Sequence, residues 1–190
     1  QGHVRAHHAL GVMYEHGKGV AVNYKKAIEW YEKAAEQGYA NAQYNLGTMY
    51  QHGHGVDVNY KKAVEWYKKA AKQGLADAQF ILGVMYEYGR GVVMNYKKAI
   101  EWYKKAAKQG YDLAQCNLGI MYKNGIGVVK SFKRAKEFFE KVQGDKSAQY
   151  HLGCMYFHGQ GVKKNSKKAI EWYEKAAEQG HALAQNNLGS

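Results

Sequence analysis

The amino-acid sequence predicts an all-α protein, an α-solenoid of about five helix-turn-helix repeats of 36 residues with a trailing first helix. Three observations lead there. The pair Leu-Gly returns at Leu10, Leu46, Leu82, Leu118, Leu152 and Leu188, at spacings of 36, 36, 36, 34 and 36 residues. Between one pair and the next lie two stretches in which small and apolar residues recur at helical spacing. The 22 glycines stand at fixed places in each interval and proline is absent, so the glycines act as punctuation between helices.

The second unit illustrates the elements. Residues 40–52 set Ala42, Leu46, Met49 and Tyr50 on one face of a first helix, A, and Gly53 follows as its C-terminal cap. After "GHGVDV", Asn59 is placed to cap a second helix, B. Its buried stripe is expected at Ala63, Trp66, Tyr67, Ala70 and Ala71, until Gly74 ends it. The cap slot reads Asn23, Asn59, Asn95, Ser131 and Asn165 along the chain, and Trp30, Trp66, Trp102 and Trp172 share a slot with Phe138 that reads as core. A single hairpin cannot bury both sides of its apolar stripe, so neighbouring units must stack.

The units run over about 2–37, 38–73, 74–109, 110–143 and 144–179, with a partial sixth at 180–190. The fourth is two residues short, because "KAAEQGYANAQ" from Lys33 becomes "KVQGDKSAQ" from Lys141, and this predicts a tighter turn at the fourth junction. A sixth helix A that stops at Ser190, with no polar capping helix at either end, implies a fragment of a longer array or ends covered by self-association.

Composition removes several functional classes. A hydrophobic content of 46% over 190 residues is enough for a sizeable core, while no stretch reaches the apolar length that crosses a bilayer. Cys116 and Cys154 occupy different slots of the repeat, so they form no disulfide framework and read as two small buried thiols. The serines Ser131, Ser147, Ser166 and Ser190 sit in no Gly-x-Ser-x-Gly or Ser-x-x-Lys arrangement that would activate a nucleophile. His3 and His7 stand four apart without a third ligand, and His52 and His54 straddle a helix-ending glycine as solvated side chains. The Gly-x-Gly pairs follow helices, whereas phosphate-binding loops follow strands. No catalytic residue, cofactor or metal is therefore expected.

The net charge of +12 is spread over the five units as +1, +3, +3, +3 and +2. Much of it lies in the "KK" that opens helix B, where Lys25, Lys61, Lys97, Lys133 and Lys167 precede Glu29, Glu65, Glu101, Glu137 and Glu171 by four residues, the spacing of a solvated helix face. A nucleic-acid-binding helical array is the alternative class that this charge leaves open; strongly salt-dependent binding to arbitrary RNA or DNA would mark it.

Two sets of residues carry a family resemblance. Leu10, Gly11, Tyr14, Ala27, Tyr31 and Ala34 resemble the tetratricopeptide pattern, with a longer segment, "GKGVAVNYKK", between Tyr14 and Ala27. The elements "A-Q-Y-N-L-G-x-M-Y-x-x-G-x-G-V" and "N-Y-K-K-A-x-E-W-Y-x-K-A-A-x-Q-G" are similar to the Sel-one-like repeat family, over essentially the whole chain. The resemblance implies a right-handed superhelix with helices B on the convex wall. It also implies a non-catalytic adaptor for protein or peptide partners, as members serve in bacterial signalling and host contact or in eukaryotic membrane-protein degradation. Some cysteine-rich bacterial members carry a disulfide in each repeat, a pattern this chain lacks.

Mapping each unit onto the tetratricopeptide arrangement puts five slots of helix A on the inner wall: two before the leucine, one before it, and two, five and six after it. These are Tyr44, Asn45, Thr48, Gln51 and His52 in the second unit, and Phe80, Ile81, Val84, Glu87 and Tyr88 in the third. The fourth has Cys116, Asn117, Ile120, Lys123 and Asn124, the fifth Tyr150, His151, Cys154, Phe157 and His158, and Asn187 opens the partial sixth. These slots vary while the framework stays constant, which is what a partner-binding groove needs. By the same resemblance Asn45, Asn117 and Asn187 would hold a peptide backbone through their amides, and Tyr44, Phe80, Tyr88, Tyr150 and Phe157 would supply flat apolar contacts.

Overall fold

The computed structural model describes residues 2–189; Gln1 and Ser190, the latter both the end of the partial sixth unit and one of the serines weighed above, lie outside them. Among the described residues there are eleven α-helices and no strand. In order they are α1 (Gly2–His16), α2 (Tyr24–Glu36), α3 (Ala40–His52), α4 (Tyr60–Lys72), α5 (Ala76–Tyr88) and α6 (Tyr96–Lys108), followed by α7 (Asp112–Asn124), α8 (Phe132–Lys141), α9 (Lys146–His158), α10 (Ser166–Glu178) and α11 (Ala182–Leu188). Odd numbers are helices A and even numbers helices B. The chain divides into two compact bodies, one ending at Ala106 and the other beginning at Ala107.

Helices A and B of a hairpin meet through one recurring contact. In the first body the ring of Tyr67 lies on the backbone of Gly47, where a Cβ would stand 2.6 Å from the ring. Gly11 meets Tyr31 and Gly83 meets Tyr103 in the same way. In the second body the pairs are Gly119 with Phe139 and Gly153 with Tyr173, each at 2.5 Å. The glycine of every Leu-Gly pair is there because no side chain fits beneath the ring. Tyr31, Tyr67, Tyr103 and Phe139 are among the largest fully buried side chains.

The tryptophans read as core are only half-buried, one position before these rings. The tyrosine already fills the space between A and B, so Trp66 lies at the edge of the preceding hairpin's core, with Lys69 Nζ 3.9 Å from its ring centroid. Trp30 under Lys33, Trp102 under Lys105 and Trp172 under Lys175 repeat the arrangement at 4.1, 4.2 and 4.5 Å. The lysine stem covers the large ring and its ammonium faces the ring's negative face.

Within a body, successive hairpins join by packing helix B of one against helix A of the next. Ala27, Ile28, Tyr31, Ala34 and Ala35 of α2 share a core with Ala42, Leu46 and Met49 of α3, and α4 with α5 repeats it. Buried glutamines stitch the same seam. Gln43 donates through Nε2 to Ala35 O at 3.1 Å, and its Oε1 accepts from Gln73 Nε2 at 2.8 Å. In the second body Gln179 donates to Gln149 Oε1 at 2.9 Å. A buried amide left unpaired would cost about 1–3 kcal/mol.

The turns follow the expected chemistry. Gly53 closes α3 at φ 73° with its N–H on Met49 O, and a Cβ on Gly55 would fall 2.7 Å from Tyr24 Cβ, because that turn sits on the start of α2. Asn23, Asn59, Asn95, Ser131 and Asn165 each accept the backbone N–H three residues on, at 2.9–3.3 Å. The lysine–glutamate pairs expected in the opening turns of helices B do not close, whereas Lys136 pairs with Glu140 at 2.5 Å further along α8. The lysines that follow those of the expected pairs, Lys26, Lys62, Lys98 and Lys168, lie over Tyr14, Tyr50, Tyr86 and Tyr156 at 5.1–5.5 Å.

The fourth junction departs from expectation. The two missing residues do not tighten the turn; α8 has 10 residues where other helices B have 13, and the linker 142–145 is one residue longer than the linker 37–39. A three-residue turn has nothing to give up, whereas a helix can lose its last turn. Asp145 then caps α9, accepting the amides of Ser147 and Ala148 at 2.9 Å. The glutamine stitching is interrupted there: Gln149 keeps a backbone acceptor, Gln143 O at 2.8 Å, but Gln115 Oε1 is buried without a partner among the described residues.

In the same body His151 stacks on Phe139 at 5.0 Å, and its Nδ1 lies 3.3 Å from Lys123 Nζ. Burial first, then the positive charge of Lys123 and His181, pushes His151 down to about 4, against the pull of Asp145. It is a neutral ring that accepts from the lysine.

Two outcomes are expected. Tyr67→Ala should cost about 3–5 kcal/mol in chemical denaturation, with Trp66→Ala costing clearly less; equal losses would contradict the tyrosine's place as the buried aromatic. His151 takes up a proton more readily unfolded, near 6.5, than folded, near 4. Stability is therefore full above about pH 6.5 and falls as the pH drops toward 4, by about 2 kcal/mol between pH 7 and pH 5. His151→Phe should flatten that fall.

Candidate functional site

The predicted slots are tied to the buried aromatic of their own hairpin. Two residues before the leucine, Tyr44 leans on Tyr67 at 5.6 Å and Phe80 on Tyr103 at 5.7 Å; in the second body Tyr150 leans on Tyr173 at 5.9 Å. His8 holds this slot in the first unit, 5.7 Å from Tyr31, a position the sequence mapping left out. Cys116 holds it in the fourth, packed with Phe139. Burial, followed by the adjacent Asp145 carboxylate, pushes its thiol up to about 12, so it stays protonated and unreactive.

The slots two and five after the leucine meet the tyrosine hydroxyl. Tyr67 donates to Gln51 Oε1 at 3.1 Å and lies 3.2 Å from Thr48 Oγ1. Tyr103 donates to Glu87 Oε2 at 2.6 Å, and Tyr31 to Glu15 Oε2 at 2.5 Å. The fourth unit has Phe139 in place of a tyrosine, and there the fifth slot carries Lys123, which turns to His151. In the fifth unit that slot is Phe157, and Tyr173 donates to Cys154 Sγ at 3.4 Å instead. Desolvation raises Tyr31, Tyr67 and Tyr173 above the ordinary phenol value, so they are protonated donors. The change from Glu or Gln to Lys beside the change from Tyr to Phe was the sequence signal for this coupling.

The asparagines differ among themselves. Asn45 Nδ2 lies 3.2 Å from His8 Nε2, so it braces α3 against the preceding hairpin. Asn117 is half-buried on α7, while Asn187 is exposed on α11, beside Tyr150 and Tyr173. Val84, Ile81 and Ile120 are half-buried, and His52, Tyr88, Asn124, Phe157 and His158 reach solvent. His52 stacks on His54, 5.7 Å away, and His54 on Tyr24 at 4.9 Å, so this pair is held by rings.

In the second body Tyr150, Cys154, Phe157, His158 and Asn187 come together with Tyr173 around a pocket of about 370 Å³. Sequence reasoning had not included Tyr173 or His181, whose ring stacks on Tyr150 at 4.5 Å. The first body has a pocket elsewhere, about 260 Å³, lined by Val4, Arg5, Gln37, Gly38 and Tyr39. Among the described residues no three His, Cys, Asp or Glu side chains stand together as metal ligands, and no helix is long and apolar enough to cross a membrane.

The model of the Sel1 repeat matches residues 4–39, 40–75, 76–111, 112–141 and 146–181, the shortened fourth copy ending where α8 ends. Among solved structures, a protective antigen of uropathogenic Escherichia coli strains that displays the SLR fold is 40% identical with a TM-score of 0.95. That match covers 100% of this chain and 41% of the other, so the chain spans well under half the antigen's length. A Sel1 repeat protein from Oxalobacter formigenes is 38% identical with a TM-score of 0.92, over 96% of this chain and 76% of that one. No curated protein matches the chain. Sel1 repeat proteins generally serve as protein–protein interaction scaffolds and are typically non-catalytic. With five matched repeats and whole-length similarity to a solved SLR fold, this α-solenoid chain belongs to the Sel1 repeat family.

Proposed function

We propose that this chain is a non-catalytic adaptor whose A-helix faces hold a protein or peptide partner. The observation that carries the reading is the exposure of Tyr88 at 64% and Phe157 at 46%, large aromatic side chains left in solvent on helices whose other faces are filled the same way in every repeat. Aromatic side chains are enriched at protein interfaces and dominate their energetics when a partner covers them. Around them the slots differ from unit to unit, as selectivity requires. On helix B, Lys62 and Lys98 have an intramolecular use over aromatic rings, which supports placing the partner on the A helices. Nothing in the site favours nucleic acid over protein.

A partner recovered by pull-down should lose affinity by about tenfold or more with Tyr88→Ser, and by less with Asn117→Ala, while Lys61→Glu and Lys97→Glu leave it bound. Isothermal titration of each variant, with melting curves to confirm folding, checks this. Loss of binding in the lysine variants with retention in Tyr88→Ser would place the partner on the other surface.

A further inference from the structure

The second body has a pocket whose chemistry selects among partners. Its walls are the rings of Tyr150, Phe157 and Tyr173, with His158 at the margin, and its polar groups are the Cys154 thiol and the Asn187 amide. At about 370 Å³ it lies near the lower end of the range of about 300–1,000 Å³ for ligand pockets, a size for one large side chain. None of the six lining residues is Asp, Glu, Lys or Arg, and the two helices that supply five of them, α9 and α11, contain no Asp or Glu.

Two cations flank it, while Glu171, Glu174 and Glu178 of α10, the helix that supplies Tyr173, are exposed. Lys164 Nζ stands 5.8 Å from the centroid of Phe157 on one side. On the other, Lys123 Nζ bonds the neutral His151, whose ring is 5.5 Å from Tyr150. The nearby carboxylate, Asp145, is engaged by the amides of Ser147 and Ala148 and by the Cys116 thiol. Aromatic walls alone would accept either an aromatic or a cationic side chain. The flanking lysines decide between them, because they repel a cation and attract carboxylates placed beside an aromatic ring.

We infer that this pocket receives an aromatic side chain from an acidic segment of a partner protein, with the partner's carboxylates beside Lys164 and Lys123. The inference rests on the A-helix face being the binding surface and adds the chemistry of the bound segment. The Tyr150 and Tyr173 hydroxyls and the Asn187 amide suit a ring with a polar edge, as in Trp or Tyr, since each can donate to or accept from it.

Fluorescence anisotropy with three labelled peptides of equal length tests it: an acidic peptide of Asp and Glu with one central Trp, the same peptide with Ala for Trp, and a Lys-rich peptide with the Trp. The acidic Trp peptide should bind about tenfold more tightly than either of the others. Phe157→Ser, at an exposed position, should remove that preference without lowering the melting temperature, and Lys164→Glu should weaken binding severalfold and reduce its salt dependence. Equal binding of the Ala peptide, preference for the Lys-rich one, or indifference to Phe157→Ser overturns the inference. A protein partner that needs Tyr88 while all three peptides fail to bind also overturns it, and leaves the adaptor reading in place.

Discussion

With no side chain on Gly47, the ring of Tyr67 rests directly on the backbone of the facing helix, and this contact sets how far apart two helices of a hairpin can be. The alanines that line the seam to the next hairpin are small because the axes are already close. The tryptophan one position earlier is displaced to the edge, where a lysine covers it. The hydroxyl of the tyrosine reaches the slots of helix A two and five residues after the leucine, which thereby receive a buried donor to satisfy.

The repeat, the two helices per unit, the asparagine caps and the glycine turns were legible in the sequence because each rests on local chemistry: a period, a side-chain oxygen ahead of three free amides, a residue able to take positive φ. Which aromatic is buried was not, since Trp66 and Tyr67 are adjacent on the helix and composition favours the larger ring. The response to the two-residue deletion was misplaced for a related reason. Sequence shows where residues are missing, while the structure shows that α8 shortens and the turn persists.

For the candidate site, the mapping onto the tetratricopeptide arrangement named five of the six residues that line the pocket of the second body. Tyr173 escaped because it belongs to helix B and reads as framework, although its ring forms one wall. Thr48, Gln51 and Glu87 were read as free selectivity positions, yet their polar atoms contact a tyrosine hydroxyl from the partner helix. A one-dimensional mapping tells which side of a helix a residue occupies. It does not tell that a phenol reaches the same side from behind. The basic charge shows a similar division, for many of the lysines that produce it lie over aromatic rings of the same chain.

The link between the buried tyrosine and the fifth slot constrains how such a chain can be altered, by natural variation or by hand. Grafting Lys123 into the place of Gln51 would remove the Oε1 that accepts from the Tyr67 hydroxyl and leave Thr48 as its neighbour, whereas in the fourth repeat Phe139 presents no hydroxyl to the lysine. While the tyrosine is kept the slot varies among Gln51, Glu87 and Phe157, and Lys123 arrives together with Phe139 inside. A change of charge at such a slot is therefore carried more readily by a whole hairpin than by a single exposed residue.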